Sequence, residues 1–261
     1  MKHLIIGSGT VGKATGYFLE ANNEEVYYND IDNAVLSGLK EKGKKVSEKV
    51  EDLYDVFWVC THEKHVIKVV NDNLSIFKNN VLIIRSTTPV GLLDSIIEEH
   101  NLDLVAHNPE FLREKTAVED SFNPDRIVIG TYNGVVSDIL EEIYTSLNVP
   151  KIVCLPTESE LIKYTSNCWL ATQISFWNEV KELYDKLGIN GQGIANAVCL
   201  DRRISRYGSN MLGDCYKGMC LPKDMANLIK VFKEKGIDPI VLNAVEERNK
   251  CAQQKKGLKM E

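Results

Sequence analysis

Seven short apolar runs recur through the first 155 residues, "HLIIG", "EVYYND", "DVFWVC", "VLIIRS", "LDLVAH", "RIVIG" and "KIVCL", with helix-length amphipathic stretches between them. Continuous Val/Ile/Leu runs indicate strands covered on both faces. The pattern therefore predicts a largely parallel sheet with helices on each side, a doubly wound α/β domain over residues 1–156. After Pro156 the period changes. The stretch "TESELIKYTSNCWLATQISFWNEVKELYDKLG" repeats its apolar positions at helical spacing, with no Pro or Gly until Gly188. Thr157 followed by Glu160 has the form of a capping box, and Gly188 ends the helix. The segments "PKDMANLIKVFKEKG" and "DPIVLNAVEERNKCAQQKK" also read as helices, punctuated by Gly236 and Pro239. Residues 157–261 are thus expected to form an all-α domain built on one long helix.

Composition narrows the partners. The 31 basic and 37 acidic residues leave a net charge of −6, and the dense basic runs are only "EKGKKVSEK" and the tail "QQKKGLK". Phosphate backbones are bound through a basic footprint, so nucleic acid is not expected as a partner. No stretch approaches the roughly 20 consecutive apolar residues of a membrane helix. The N-terminus runs straight into a strand and a glycine turn rather than a signal sequence, so a cytoplasmic protein is expected. The seven cysteines, at 60, 154, 168, 199, 215, 220 and 251, are an odd number without framework spacing. They are expected to stay reduced. His62 and His65 in "THEKH" lack further ligands in sequence, as do Cys215 and Cys220, so no metal site is expected.

Candidate chemistry begins with "GSGTVG" directly after the first strand. Gly7, Gly9 and Gly12 supply the tight turn, the backbone approach to a pyrophosphate and the helix–strand packing of a dinucleotide site. The pyrophosphate then rests on a helix N-terminus. Asp30, about twenty residues on in "YYNDID", suits the adenosine ribose hydroxyls and favours NAD over NADP. Asp30 and Asp32 both have a rival reading as a helix N-cap.

Further along stand "IIRSTTPVG", "AHNPEFLREKTAVEDSFNPDRIVIG", "ESELIKYTSNCWLATQISFWNE" and "GMCLPKD". These segments, in this order from Met1 to about Lys255, closely resemble the UDP-glucose/GDP-mannose dehydrogenase family. The resemblance implies an N-terminal Rossmann domain that binds NAD and a central helical domain with a long dimer-forming helix. It implies oxidation of a nucleotide sugar's primary alcohol to a carboxylate with two NAD, through a thioester on Cys220. By motif position Lys163 and Asn167 hold the reacting oxygen, Glu110 and Thr87 serve the water and the hydrolysis step, and Asp224 lies near the thiol. Thr10, Val11, Thr61 and Thr87 join the glycines and Asp30 at NAD. Phe111 and Leu112 join Glu110, Lys163 and Asn167 at the sugar, and Arg203 reaches a neighbouring subunit's site. The family's C-terminal domain, which grips the nucleotide, is expected to be absent from this chain.

The residues themselves are suited to those roles. Pro222 fits a first helical turn, so the Cys220 thiol is expected at a positive helix end, with Lys223 and Lys163 as available cations. Lys163 and Asn167 share one face of the long helix and could aim a cation and an amide at one oxyanion. Trp169, Ile174, Phe176, Trp177, Val180 and Leu183 give that helix more apolar surface than one face needs, which fits a homodimer across it or, alternatively, an internal core. "CYKGMC" departs from the family's glycine-rich "GFGGSC" loop, placing Lys217 and Met219 where a sugar would approach. A single hydride transfer on a smaller hydroxy compound, and a non-catalytic NAD-binding assembly protein, stay open as alternatives.

Overall fold

The computed structural model describes residues 1–255, so residues 256–261, the end of the second predicted domain and of the tail lysine run, lie outside the described residues. The chain divides into two compact units, Met1–Lys163 and Tyr164–Glu261.

The first unit holds one eight-stranded sheet in the order β3-β2-β1-β4-β5-β6-β7-β8. Its strands are β1 (Lys2–Ile6), β2 (Glu25–Asn29), β3 (Lys45–Val46), β4 (Val56–Val59), β5 (Val81–Ile84), β6 (Val105–His107), β7 (Ile127–Gly130) and β8 (Lys151–Cys154). Neighbouring strands are parallel except β6 and β7, which pair antiparallel at His107 and Gly130. All seven apolar runs became strands. The eighth, β3, is two residues long and pairs only with Tyr27 and Tyr28, too short to leave a sequence signal.

Between the strands run α1 (Thr10–Ala21), α2 (Asn33–Glu41), α3 (Glu63–Asp72), α4 (Leu74–Phe77), α5 (Leu92–His100), α6 (Ala117–Phe122) and α7 (Gly134–Ile143). They cover both faces, which is why the strand sequences do not alternate. Ile5, Tyr28, Trp58, Ile83 and Ile129 join one apolar cluster with Phe18 and Leu140. Leu4, Phe57, Leu82 and Ile84 join another with Val66, Val70, Leu93 and Ile96. Gly16 lets α1 lie against β2, since a Cβ there would meet the Tyr28 ring at 2.4 Å. Strand order reverses between β1 and β4, and a doubly wound sheet places its ligand crevice there, beyond the carboxyl ends of the strands.

Helix α8 (Pro156–Lys186) is the long helix predicted from periodicity. Its start corrects the expected capping box. Pro156 occupies the first helical position, where its missing N–H is no loss. Glu158 accepts the Leu155 N–H at 2.8 Å, Thr157 donates to Asp94, and Glu160 reaches across to α5. Packing against the sheet domain has redirected the two side chains the box would have used. The helix ends as expected beside Gly188, whose φ is +68°.

The second unit continues α8 into α9 (Gly191–Val198), α10 (Cys220–Glu234) and α11 (Ile240–Lys255). Helix α9 carries two glycines and left no sequence signal. Gly191 is required there because a Cβ would stand 2.7 Å from Tyr184. Among the described residues, no helix is long and apolar enough to cross a membrane, and no disulfide forms.

Candidate active site

The glycine turn after β1 is built by two backbone constraints and one vacancy. Gly7 has φ +90°, and a Cβ there would crowd Thr61 at 2.8 Å; a Cβ on Gly12 would stand 2.0 Å from the Gly7 carbonyl oxygen. Gly9 differs from both. Its φ is −71°, and a Cβ would meet nothing within 4 Å. Neither strain nor packing in the protein requires glycine at this position, and the open space over it fits a ligand that approaches the backbone closely. Thr10 and Val11 open α1, which has neither a capping side chain nor an acid in its first turn. Its leading N–H groups are left for an anion.

Asp30 and Asp32, equivalent in sequence, have separated. Asp32 caps α2 by accepting the Ala34 N–H at 2.8 Å. Asp30 accepts from Ser8 N–H at 2.7 Å and from Asp32 N–H at 2.9 Å. Both bonds hold its carboxylate at the wall of a cavity of about 430 Å³, which Gly7, Gly9, Thr61, His62 and His65 also line. A carboxylate at this end of the second strand suits ribose hydroxyls and disfavours a 2′-phosphate. These residues fit a dinucleotide. His62 serves as the N-cap of α3, and no cluster of three or more metal-ligating side chains occurs among the described residues.

The first two turns of α8 meet the loops beyond β5 and β6. Lys163, 4% exposed, donates to the Glu110 carbonyl at 2.5 Å and to Glu110 Oε1 at 3.0 Å. Glu110 Oε2 accepts the Leu112 N–H at 2.6 Å. Burial alone would raise the Glu110 carboxyl, but the Lys163 charge, the Leu112 bond and Arg85 outweigh it and hold it below the usual range. Phe111 lies against both cations, with Arg126 4.0 Å and Lys163 5.3 Å from its ring centre. Glu110, Phe111, Leu112 and Lys163 are thus one cluster.

Several members of this site gave no sequence signal, because their roles come from burial and long-range contact. His107 lies between Ser159 Oγ at 2.6 Å and the Ser86 carbonyl at 3.3 Å. Burial, then the charges of Lys163 and Arg85, push it down to about 3, although its backbone contact opposes this. It is neutral at physiological pH. Arg85 is itself buried and donates to Asn108 at 2.5 Å and Tyr144 at 2.9 Å. Glu160 accepts from Thr88 Oγ1 at 2.9 Å, Gly91 N–H at 2.5 Å and Leu93 N–H at 3.1 Å. Burial raises it to about 7, with those three donors opposing. Thr87, the predicted residue of this loop, is half-buried, and its neighbour Thr88 makes the bond to Glu160.

In the second unit Cys220 is the first residue of α10, whose start has no side-chain cap. Cys220 is exposed. Burial, by contrast, pushes the thiols of Cys60 and Cys168 up to about 12 and that of Cys154 to about 11. Asp224, one turn beyond Cys220, is buried and accepts from Asn167 Nδ2 at 2.5 Å. Lys223 stands 3.1 Å from its other oxygen. The loop leading to the cysteine is pinned by two buried amides that sequence reasoning missed. Asn178 bonds the Asp214 carbonyl and, at 2.8 Å, the Gly213 N–H. Asn249 accepts the Tyr216 N–H at 2.9 Å and donates to its carbonyl at 3.0 Å. Arg203 is exposed and forks onto Asp201, its closest contact 2.6 Å.

A dinucleotide crevice on a doubly wound sheet, followed by helices that present a cysteine at a helix N-terminus, defines a nucleotide-dependent dehydrogenase class of protein. Residues 59–148 match the NAD binding domain of the UDP-glucose/GDP-mannose dehydrogenase family, and residues 157–251 match its central domain. The chain belongs to the UDP-glucose/GDP-mannose dehydrogenase family and carries its NAD-binding domain. It is 32% identical to a UDP-glucose 6-dehydrogenase of Rickettsia bellii, over 96% of this chain and 67% of that one. It is 43% identical to a UDP-glucose 6-dehydrogenase of Rickettsia conorii, over 66% of this chain and 41% of the relative. Among solved structures, a UDP-glucose dehydrogenase from Pyrobaculum islandicum matches with a TM-score of 0.82 and 26% identity, covering 98% of this chain and 72% of that one. Matches to the curated relatives named here thus span 41% to 67% of their length.

Two outcomes follow from this geometry. Gly9→Ala is expected to cost no more than about 1 kcal/mol of stability, while calorimetry shows at least about a tenfold loss of NAD affinity; equal loss in both would assign Gly9 to folding. His107 stays neutral in the fold but protonates when unfolded below about pH 6.5, so its contribution to stability declines as pH falls from there towards 3. The slope approaches about 1.4 kcal/mol per pH unit. Urea midpoints of the wild type should therefore fall relative to His107→Gln as pH drops from 7 to 5.

Proposed function

We propose that this chain carries out the NAD-dependent oxidation of a nucleotide sugar's primary alcohol, of the UDP-glucose type, to the carboxylate through a thioester on Cys220. The observation that carries this reading is the 2.5 Å bond from Asn167 to Asp224. It ties the amide of α8 to the first turn of the cysteine's own helix. An exposed thiol at the N-terminus of a fifteen-residue helix favours its thiolate.

Bound NAD supplies the hydride acceptor. The Cys220 sulfur adds to the aldehyde carbon formed by the first oxidation, the second leaves the acyl group on sulfur, and water splits that bond to release carboxylate and thiol. One alcohol, one water and two NAD+ give one carboxylate, two NADH and three protons. Lys163 and Asn167 stabilise the oxygen as its charge develops. Glu110, held ionised by Lys163, and Thr87 serve the attacking water. Phe111 and Leu112 line the sugar side, Arg203 reaches a partner subunit's site, and the protein works in the cytoplasm. A second reading, one hydride transfer on a smaller hydroxy compound, draws on Met219 and Lys217, which are exposed on the loop before the thiol.

The partner copy is proposed to pack on α8. Trp169, Phe176 and Leu183 recur every seven residues and are 61%, 59% and 57% exposed, whereas Ile174 and Trp177 are buried within the unit. A seven-residue apolar seam is what a second helix packs against.

With UDP- or GDP-sugars the expected yield is two NADH per sugar consumed. One NADH per substrate selects the second reading, and none with any such sugar leaves NAD binding without oxidation. Cys220→Ala should lower the rate of acid formation at least about a thousandfold, and unchanged activity would overturn the thioester. Sedimentation should find a dimer that Phe176→Glu dissociates; a wild-type monomer would leave Arg203 without its role in trans.

A further inference from the structure

Glu160 is one of the least exposed acids in the chain, at 1% of its surface, and the chemistry above does not use it. Its two oxygens accept three bonds, all from the segment Thr88–Leu93: the Thr88 hydroxyl, the Gly91 N–H and the Leu93 N–H. Locally that segment offers its helix start the bond from Leu92 N–H to the Pro89 carbonyl at 3.0 Å, and no side-chain cap from its N-cap residue. Gly91, the N-cap of α5, has φ +85° and carries no side chain to cap the first turn. A helix start leaves N–H groups unsatisfied, and the two oxygens of a buried carboxyl can accept from them. Here it comes from α8, some seventy residues later in the chain, as the 67 to 72 residue separations of the three bonds record.

The acid also sits one helical turn before Lys163 and next to Ser159. Ser159 holds His107 at the end of β6, and Lys163 holds Glu110 just beyond it. Glu160 holds the loop after β5, which carries Thr87. The three neighbouring side chains each fix a different element of the sheet's carboxyl edge. We propose that Glu160 is a positioning residue that sets the β5–α5 loop, and with it Thr87, by capping α5 from α8. This rests on the reading of Thr87 as part of the reaction site.

A glutamine at this position keeps the shape but turns an NH2 group towards donors, leaving at least one buried N–H without an acceptor. In Glu160→Gln, peptides covering residues 86–93 are expected to exchange amide hydrogens about tenfold faster or more, with the strands unaffected. Its kcat should fall at least about tenfold, while KM and the NAD dissociation constant stay within about threefold. Thr88→Val removes one donor and leaves the two backbone bonds, so it should fold normally and show the same pattern to a smaller degree. If exchange in 86–93 is unchanged in both variants, there is no clamp. If exchange quickens while kcat holds, or if KM and NAD binding fail along with kcat, the positioning role is overturned. A wild type that oxidises no nucleotide sugar overturns the reaction reading instead, and the exchange comparison then decides the clamp by itself.

Discussion

The site depends on a shortage of water at the place where α8 meets the sheet. Residues 159, 160 and 163 enter a space where charged and polar groups have almost no solvent, and each must find a protein partner or carry an unfavourable desolvation. Lys163 satisfies itself with both the carbonyl and the carboxylate of Glu110, Ser159 with His107, and Glu160 with the start of α5. Those requirements convert burial into geometry. Loops that would otherwise sample many conformations are drawn to fixed points on one rigid helix.

The same scarcity of water separates groups that look alike in sequence. Glu110 and Glu160 are both buried acids beside loops of the sheet's carboxyl edge. Glu110 faces an ammonium and is held below the usual range, whereas burial, only partly offset by three neutral donors and helped by Asp94, raises Glu160 to about 7. The cysteines divide along the same line. Those within the packed interior are held as thiols by desolvation, and Cys220 stands in the open at a helix start. Solvent access and a place at a helix start together distinguish Cys220 from the buried thiols, and exposure alone does not, since Cys251 is exposed too.

Much of this was legible in the chain. Strands covered on both faces need unbroken apolar runs, so all seven long strands and the domain type could be read directly. Gly7 and Gly12 were legible because a left-handed turn and close helix–strand packing each demand glycine within a short span. What could not be read were contacts over long separations. Glu160 looked like the partner of Thr157 because local capping is the commoner use of that spacing, and only the fold brings Gly91 within 2.5 Å of it. Asn178 and Asn249 look like ordinary helix amides, yet they pin Gly213, Asp214 and Tyr216 ahead of the cysteine. Helix α9 was hidden by the glycine that its packing on Tyr184 requires.

Loop composition at the cysteine takes on a different meaning in this light. A glycine-rich loop can take up conformations that Lys217 and Met219 forbid, and it is tempting to read their presence as damage to the site. The loop's path, however, is set from outside by two asparagines whose amides act as both donor and acceptor for its backbone. Gly213, with φ +81°, and Gly218, with φ +83°, stand at the two positions of the approach that take a left-handed backbone. Bulk added at 217 and 219 is therefore borne by side chains that point out of a backbone held elsewhere, since Lys217 and Met219 are both exposed. The loop before Cys220 therefore shows a cation and a thioether to solvent on a backbone held by Asn178 and Asn249.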